Sequence, residues 1–214
     1  LAFDHSTDSS IGLISSGLDV LQNRHLLLEF RSLVEVMNQF QSYLPDGTTA
    51  KWMLDDYHRM IEVGLLESRH VELLNGEIIE MPPEGAEHAQ QSTDTADYLK
   101  QLGNRAVVRD AKPITLPDSA SEPEPDLAIV EPLRPLYRTR HPYPENIFWL
   151  IEYANTTLSK DLNIKRKTYA AASIQEYWVI DLKHRQLKVF REPVNGDYAS
   201  EETLTTGEIR PLAF

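Results

Sequence analysis

The chain has 214 residues, 41% hydrophobic and 25% charged, which suits one core-forming domain with an appendage rather than two full domains. It contains no cysteine, which excludes a disulfide framework, a thiol nucleophile and a cysteine-based zinc site. No apolar run approaches the roughly 20 residues needed to span a bilayer, and Leu1-Ala-Phe-Asp4 lacks a basic n-region, so neither a membrane segment nor a signal peptide is expected and the expected location is cytoplasmic.

Residues 1–16 carry no hydrophobic period and read as a leader. From 17 to 44 the spacing of Leu26, Leu27, Phe30, Leu33, Val34, Met37 and Phe40 predicts an amphipathic helix, stopped by Pro45-Asp46-Gly47. Its stripe suits either the chain's own core or a second copy. A short helix is expected over Met53–Val63. Val71–Leu74 and Glu77–Met81 flank Asn75-Gly76, a strong hairpin signal because both turn positions need positive φ. Pro82-Pro83 ends the hairpin and residues 86–102 read as a helix, with Gly103 as its stop. Strand-like runs follow at Ala106–Val108, Pro113–Leu116, Asp126–Val130, Ile147–Tyr153, Glu176–Asp181 and Gln186–Arg191. A cationic helix is expected over 159–172, and Gly196-Asp197 turns the chain towards a short final segment. This order implies an α/β or α+β fold, a mixed sheet flanked by helices. The expected division is 1–50 as leader and helical extension and 51–214 as the main domain.

Two buried strand candidates each carry one carboxylate at an edge: Asp126 opens the first and Glu152 nearly closes the second. Carboxylates brought together at the ends of buried strands repel unless a cation lies between them or one holds a proton. A divalent metal is the economical reading, magnesium or manganese, because hard cations take carboxylate oxygens and leave room for phosphates. For each residue alone, a capped turn or a surface ion pair is the competing reading. The net charge of −12 argues against a polyanionic partner by its sum, but residues 100–191 hold 15 of the 21 Lys and Arg and 11 of the 33 Asp and Glu. That stretch is therefore locally basic, and a basic cleft on an acidic protein still binds a phosphate backbone. Arg138 and Arg140 in the Arg134–Pro144 loop, and Lys167 on the cationic helix, are the candidates for nucleic-acid contact.

Val71-Glu72-Leu-Leu-Asn-Gly-Glu-Ile-Ile-Glu-Met81, His88, Glu124-Pro125-Asp126, Ile151-Glu152-Tyr-Ala-Asn-Thr-Thr157, Asp161-Leu-Asn-Ile-Lys165, Tyr169-Ala170 and Ile174-Gln-Glu-Tyr-Trp-Val-Ile-Asp181 together resemble the Uma-two family. That is a bacterial group classed as restriction endonucleases, with the PD-(D/E)xK nuclease fold. The resemblance covers roughly residues 50–214. It implies that Pro125-Asp126 is the PD element and Glu152 the second acid. Ala154 stands where the motif has its lysine, so the resemblance implies a lysine supplied by the helix, at Lys165. It implies a role for Glu72 as the hairpin acid, with a surface acid as the competing reading. His88 matches a family histidine but reads more simply as a packing or hydrogen-bonding residue at a helix start. Asp161, four residues before Lys165, reads as support for that lysine.

The expected function is metal-dependent hydrolysis of DNA phosphodiester bonds, with Glu72, Asp126, Glu152 and Lys165 catalytic and the metal on Asp126 and Glu152. The alternative is a catalytically silent nuclease-fold protein that binds DNA or assembles with other chains. DNA and a second copy of the chain, as a homodimer, are the expected partners.

Overall fold

The computed structural model describes residues 49–214; the predicted helix over 17–44 lies outside the described residues. Helix α1, Leu54–Glu62, starts with Asp56 accepting from the Met53 amide at 3.2 Å. Strands β1 (Val71–Leu74) and β2 (Glu77–Glu80) form the predicted hairpin. Asn75 and Gly76 hold φ of +52° and +74°, as a turn of that hand requires. A Cβ added at Gly76 would stand 2.9 Å from Lys51 Cβ and 3.2 Å from the Trp52 carbonyl, so space as well as φ selects glycine. Strand β1 is buried throughout. The Glu122 amide donates to the Leu73 carbonyl at 2.8 Å and the Gly76 amide to Ala120 at 3.0 Å, so the hairpin is fastened to the 120–124 segment.

Helix α2, Ala86–Leu99, leads through a 3-10 turn to strand β3, Val107–Asp110. Strands β4 (Leu127–Val130), β5 (Ile147–Ala154), β6 (Glu176–Asp181), β7 (Gln186–Val194) and β8 (Asp197–Leu204) follow. These strands form one six-stranded sheet in the order β3-β4-β5-β6-β7-β8. All neighbours are antiparallel except β5 and β6. A parallel pair needs a crossover, and here it is the helical stretch from 158 to 171. That stretch is not one uniform helix: α3 (Leu158–Lys160) passes into a π turn (Asp161–Lys165) and then into α4 (Arg166–Ala171).

The central strands are apolar on both faces, as a covered sheet demands. Leu127, Ile129, Trp149, Ile151 and Tyr153 cluster with Ala96 and Leu99 of α2. Ala128, Val130, Leu150, Ala154, Tyr177 and Val179 cluster with Tyr169 and Ala170 of α4. Each large side chain so buried contributes about 1.5–3 kcal/mol over its exposed state, and the period-two alternation assigns each strand residue to one layer or the other. Among the described residues, no helix is long and apolar enough to cross a membrane.

Two expectations need correction. Pro113–Leu116 is extended and largely buried but joins no ladder. Its amides reach two separate segments, at Ser121 and Pro123 in the 120–124 stretch and at Pro142. The short final segment proves to be the eight-residue edge strand β8. Its Glu201-Glu202-Thr203 run faces water and gives no hydropathic signal.

Gly76→Ala is expected to destabilise the protein by about 1–3 kcal/mol, from the forced positive φ and the Lys51 contact. Urea denaturation checks this; an unchanged midpoint at constant slope contradicts it.

Candidate active site

Asp126 stands one residue before β4. The last rung of the β4–β5 ladder is Leu127 opposite Ile151, so one further step in register brings Asp126 opposite Glu152. In place of another backbone rung, Asp126 Oδ2 accepts from the Tyr153 amide at 2.6 Å. That bond satisfies an amide at the strand end and fixes the carboxyl beside Glu152. Asp126 Oδ1 lies 3.0 Å from His88 Nε2, though the ring nitrogen is not aligned for a hydrogen bond and is buried without any other partner. The carboxylate raises the His88 pKa, against the opposing effect of burial. His88 is on the first turn of α2, and Glu84 precedes that helix. Ligand atoms of Glu84, His88 and Asp126 all lie within 4.8 Å of one another.

The second half of the site is buried. Glu152 is 4% exposed, Glu72 0% and Lys165 2%. Lys165 Nζ donates to Glu152 Oε1 at 2.8 Å and lies 3.3 Å from Glu72 Oε2. Lys160 Nζ donates to Glu72 Oε1 at 2.8 Å. The Tyr169 hydroxyl donates to Glu152 Oε1 at 3.0 Å, and the Glu124 amide donates to Glu72 Oε2 at 3.3 Å. One hairpin strand, one central strand and one helix thus meet on a single cluster of charges.

The π turn explains how two lysines reach one carboxylate. A π turn bonds residue i to i+5 where an α turn bonds i to i+4, so Lys160 and Lys165, five apart, come to the same side. On an unbroken α-helix they would diverge. Asp161 is also buried, and its amide donates to the Thr157 carbonyl at 3.1 Å. Among the described residues Asp161 makes no ion pair with Lys165, so the salt bridge that the four-residue spacing suggested does not form; its charge still raises Lys165 from further away.

The electrostatics follow from burial. Burial pulls the Lys165 pKa down, but Glu152, Glu72 and Asp161 more than offset it, and the ammonium is held well above the ordinary lysine range. Burial likewise raises Glu72, yet Lys165 and Lys160 outweigh it and hold that carboxyl low. Glu152 is pushed up to about 8 by burial. Lys165 opposes that rise, while Asp126, Asp161 and Glu72 add to it. Carboxylates outnumber cations here, and Glu152 is the carboxyl that holds its proton most readily. Tyr169 is raised well above its usual value, chiefly by burial, and keeps the proton it donates.

The structure brings Glu72, Glu152 and Lys165 together and sets Asp126 beside Glu152. It does not bring the three predicted nucleic-acid residues to them. Arg138 and Arg140 lie in the connection from the end of β4 to the start of β5. The four residues of β4, about 13 Å of strand, separate that end from Asp126. The Arg140 guanidinium donates to Asn146 Oδ1 and the His141 carbonyl and lies 3.9 Å over the Tyr143 ring. Lys167 is exposed on α4, two residues past the buried Lys165. Sequence reasoning read His88 as a packing or hydrogen-bonding residue and gave no site role to Lys160, Tyr169 or Glu84. Glu84 stands before the helix, so helical spacing does not pair it with His88, and for Lys160 there was no signal.

No curated protein matches the chain. Among solved structures it is similar to "a putative nuclease belonging to DUF820" from Anabaena variabilis ATCC 29413, at 16% identity and a TM-score of 0.55, over 72% of this chain and 84% of that one. That likeness shows a shared fold. The model of the Uma2 family, described as "Putative restriction endonuclease", matches residues 37–213, starting upstream of the motifs that carry the resemblance. The match spans most of the chain, and the chain belongs to the Uma2 family.

Proposed function

We propose that this protein is a metal-dependent DNA endonuclease. The observation that carries the reading is the excess of buried and half-buried carboxylate beside one oriented lysine, at the end of a nuclease-fold sheet. Such a set of oxygens fits a hard divalent cation, magnesium or manganese. Asp126 and Glu152 are the residues that would hold it, with Glu84 and His88 on the other side of Asp126. When bound, the ion lowers the pKa of a water and polarises a phosphoryl oxygen.

The chain's own residues do the positioning. Glu72 and Glu152 take two of the three donors of the Lys165 ammonium. The third is left for the attacking water or the phosphate, where a preorganised cation offsets developing charge. Lys160 holds the other oxygen of Glu72, so Glu72 cannot swing away from Lys165. Tyr169 fixes the Glu152 rotamer from behind. The near-complete burial of Lys165 favours the second reading, a silent nuclease fold in which this network only holds the structure together.

Magnesium- or manganese-dependent nicking of supercoiled plasmid separates the two. The parent protein is expected to cleave and to stop on chelation, and Asp126→Ala purified identically is expected to be inactive. No cleavage by the parent with either ion, or equal cleavage by Asp126→Ala, contradicts the enzyme reading. Lys165→Ala should lose at least about a hundredfold in rate, while Lys167→Ala keeps the chemical step at saturating DNA. The reverse ranking would move the catalytic lysine to 167.

Cutting both strands of a duplex calls for two sites, and a homodimer is part of this reading. Sedimentation velocity is expected to give a dimer; a monomer at high micromolar concentration contradicts it.

A further inference from the structure

Strands β5 and β6 run parallel with Ala154 opposite Asp181, so the turn after β6 emerges at the same end of the sheet as Glu152. The Leu182 amide donates to the Ala154 carbonyl at 3.0 Å, which ties that turn to the strand bearing the acid. Its residues are Leu182-Lys183-His184-Arg185, and the last three are exposed. Among the described residues, neither Lys183 nor Arg185 has an acidic side chain within ion-pair distance, and His184 pairs with Asp181 at 2.7 Å.

The turn is held by a buried group. Asp181 is 1% exposed and accepts from the His184 amide at 3.0 Å, His184 Nδ1 at 2.7 Å and Gln186 Nε2 at 3.0 Å. Arg185 adopts φ of +52°, a conformation that costs an arginine about 1 kcal/mol or more relative to glycine. Three basic side chains are thus presented on a braced hairpin tip. Opposite charge is near: Glu87 of α2 lines the same cleft as Arg185 and Gln186.

We propose that the β6–β7 turn is a backbone clamp for the DNA substrate, with Lys183 and Arg185 each contacting a phosphate beside the cleavage point. The proposal rests on the nuclease reading above. Two residues of strand and one interstrand step separate Glu152 from the turn, about 10 Å. That distance spans a few nucleotide steps at a rise of 3.4 Å per strand. On a chain of net charge −12, unspecific attraction to DNA is not available, so cations set beside the acids are what a polyanion would meet there. Arg138 and Arg140, at the far end of β4 and β5, do not offer that placement.

Fluorescence anisotropy with a labelled DNA duplex in chelator tests this, comparing the full-length protein with Lys183→Glu/Arg185→Glu and with the milder Lys183→Gln/Arg185→Gln. Loss of two phosphate contacts should lower the slope of log affinity against log salt by about 1.8. Affinity should fall at least tenfold for the Glu pair and less for the Gln pair, with unchanged melting temperatures. In the cleavage assay, KM should rise while kcat holds. Lys100→Glu, just past the far end of α2, reverses one charge where the pair reverses two, so it controls for the effect of net charge per reversal and should leave the slope unaltered. Unchanged affinity and slope in the folded Glu pair, with a parent protein that cleaves, overturns the clamp and leaves the nuclease reading standing. An equal effect from Lys100→Glu also overturns it. A parent protein that neither binds nor cleaves DNA removes both.

Discussion

The structure depends on one buried cation. Lys165, 2% exposed, lies between Glu72 and Glu152, themselves 0% and 4% exposed. Removing an ammonium and two carboxylates from water costs several kcal/mol per ion. Their mutual attraction offsets that cost only when all three are in place. The three residues come from a hairpin, a crossover helix and a central strand, far apart in sequence. Correct docking of the hairpin and of the helix is thus enforced by charge as well as by apolar burial. The hairpin is further tied by Asn75 Nδ2 donating to Thr168 Oγ1 at 2.8 Å on α4, and by the 120–124 segment beneath it.

The same constraint shapes the chemistry. Two lysines serve Glu72, Glu152 and Asp161, and Asp126 adds a fourth carboxylate at the edge. Burial raises the Glu152 pKa to about 8, and the neighbouring Asp126, Asp161 and Glu72, which leave the cluster short of positive charge, add to the rise. A proton or an added cation answers the same deficit. The π turn is part of this arrangement, since it turns Lys160 and Lys165 to one side. Such turns recur at functional sites because they aim side chains that an α-helix would scatter.

Much of this was legible in the chain. Asn75-Gly76 fixed the hairpin through backbone sterics alone. Alternation and β-branched runs located five of the six strands of the main sheet, and the exposed, acidic β8 escaped because an edge strand need not be apolar. Asp126 and Glu152 stand out as strand-edge carboxylates, but Glu72 and Lys165 do so only because ordered motifs resemble a known family, and strand-edge chemistry alone does not make a site. Glu176 and Asp181 make that plain. Both are buried acids at the ends of β6. Yet Glu176 only gathers Arg191, the Trp178 indole and the Leu212 amide, and Asp181 braces a turn. What the sequence could not give was direction. The basic loop 134–144 looks adjacent to Glu152 in the chain, but strand polarity sends it to the other end of the sheet. The Lys183–Arg185 turn, further along the chain, returns to the acids. Helical spacing assumed 3.6 residues per turn and so could not place Lys160.

The central claim is that Lys165 and Glu152 act as one buried, mutually dependent pair. A double-mutant cycle on stability, with Lys165→Met, Glu152→Gln and both together in urea denaturation, tests it most directly. Each single substitution should cost about 3–5 kcal/mol by stranding a partner. The double substitution should cost at least about 2 kcal/mol less than the sum of the two. Additivity within about 0.5 kcal/mol, the behaviour of independent sites, would contradict the account.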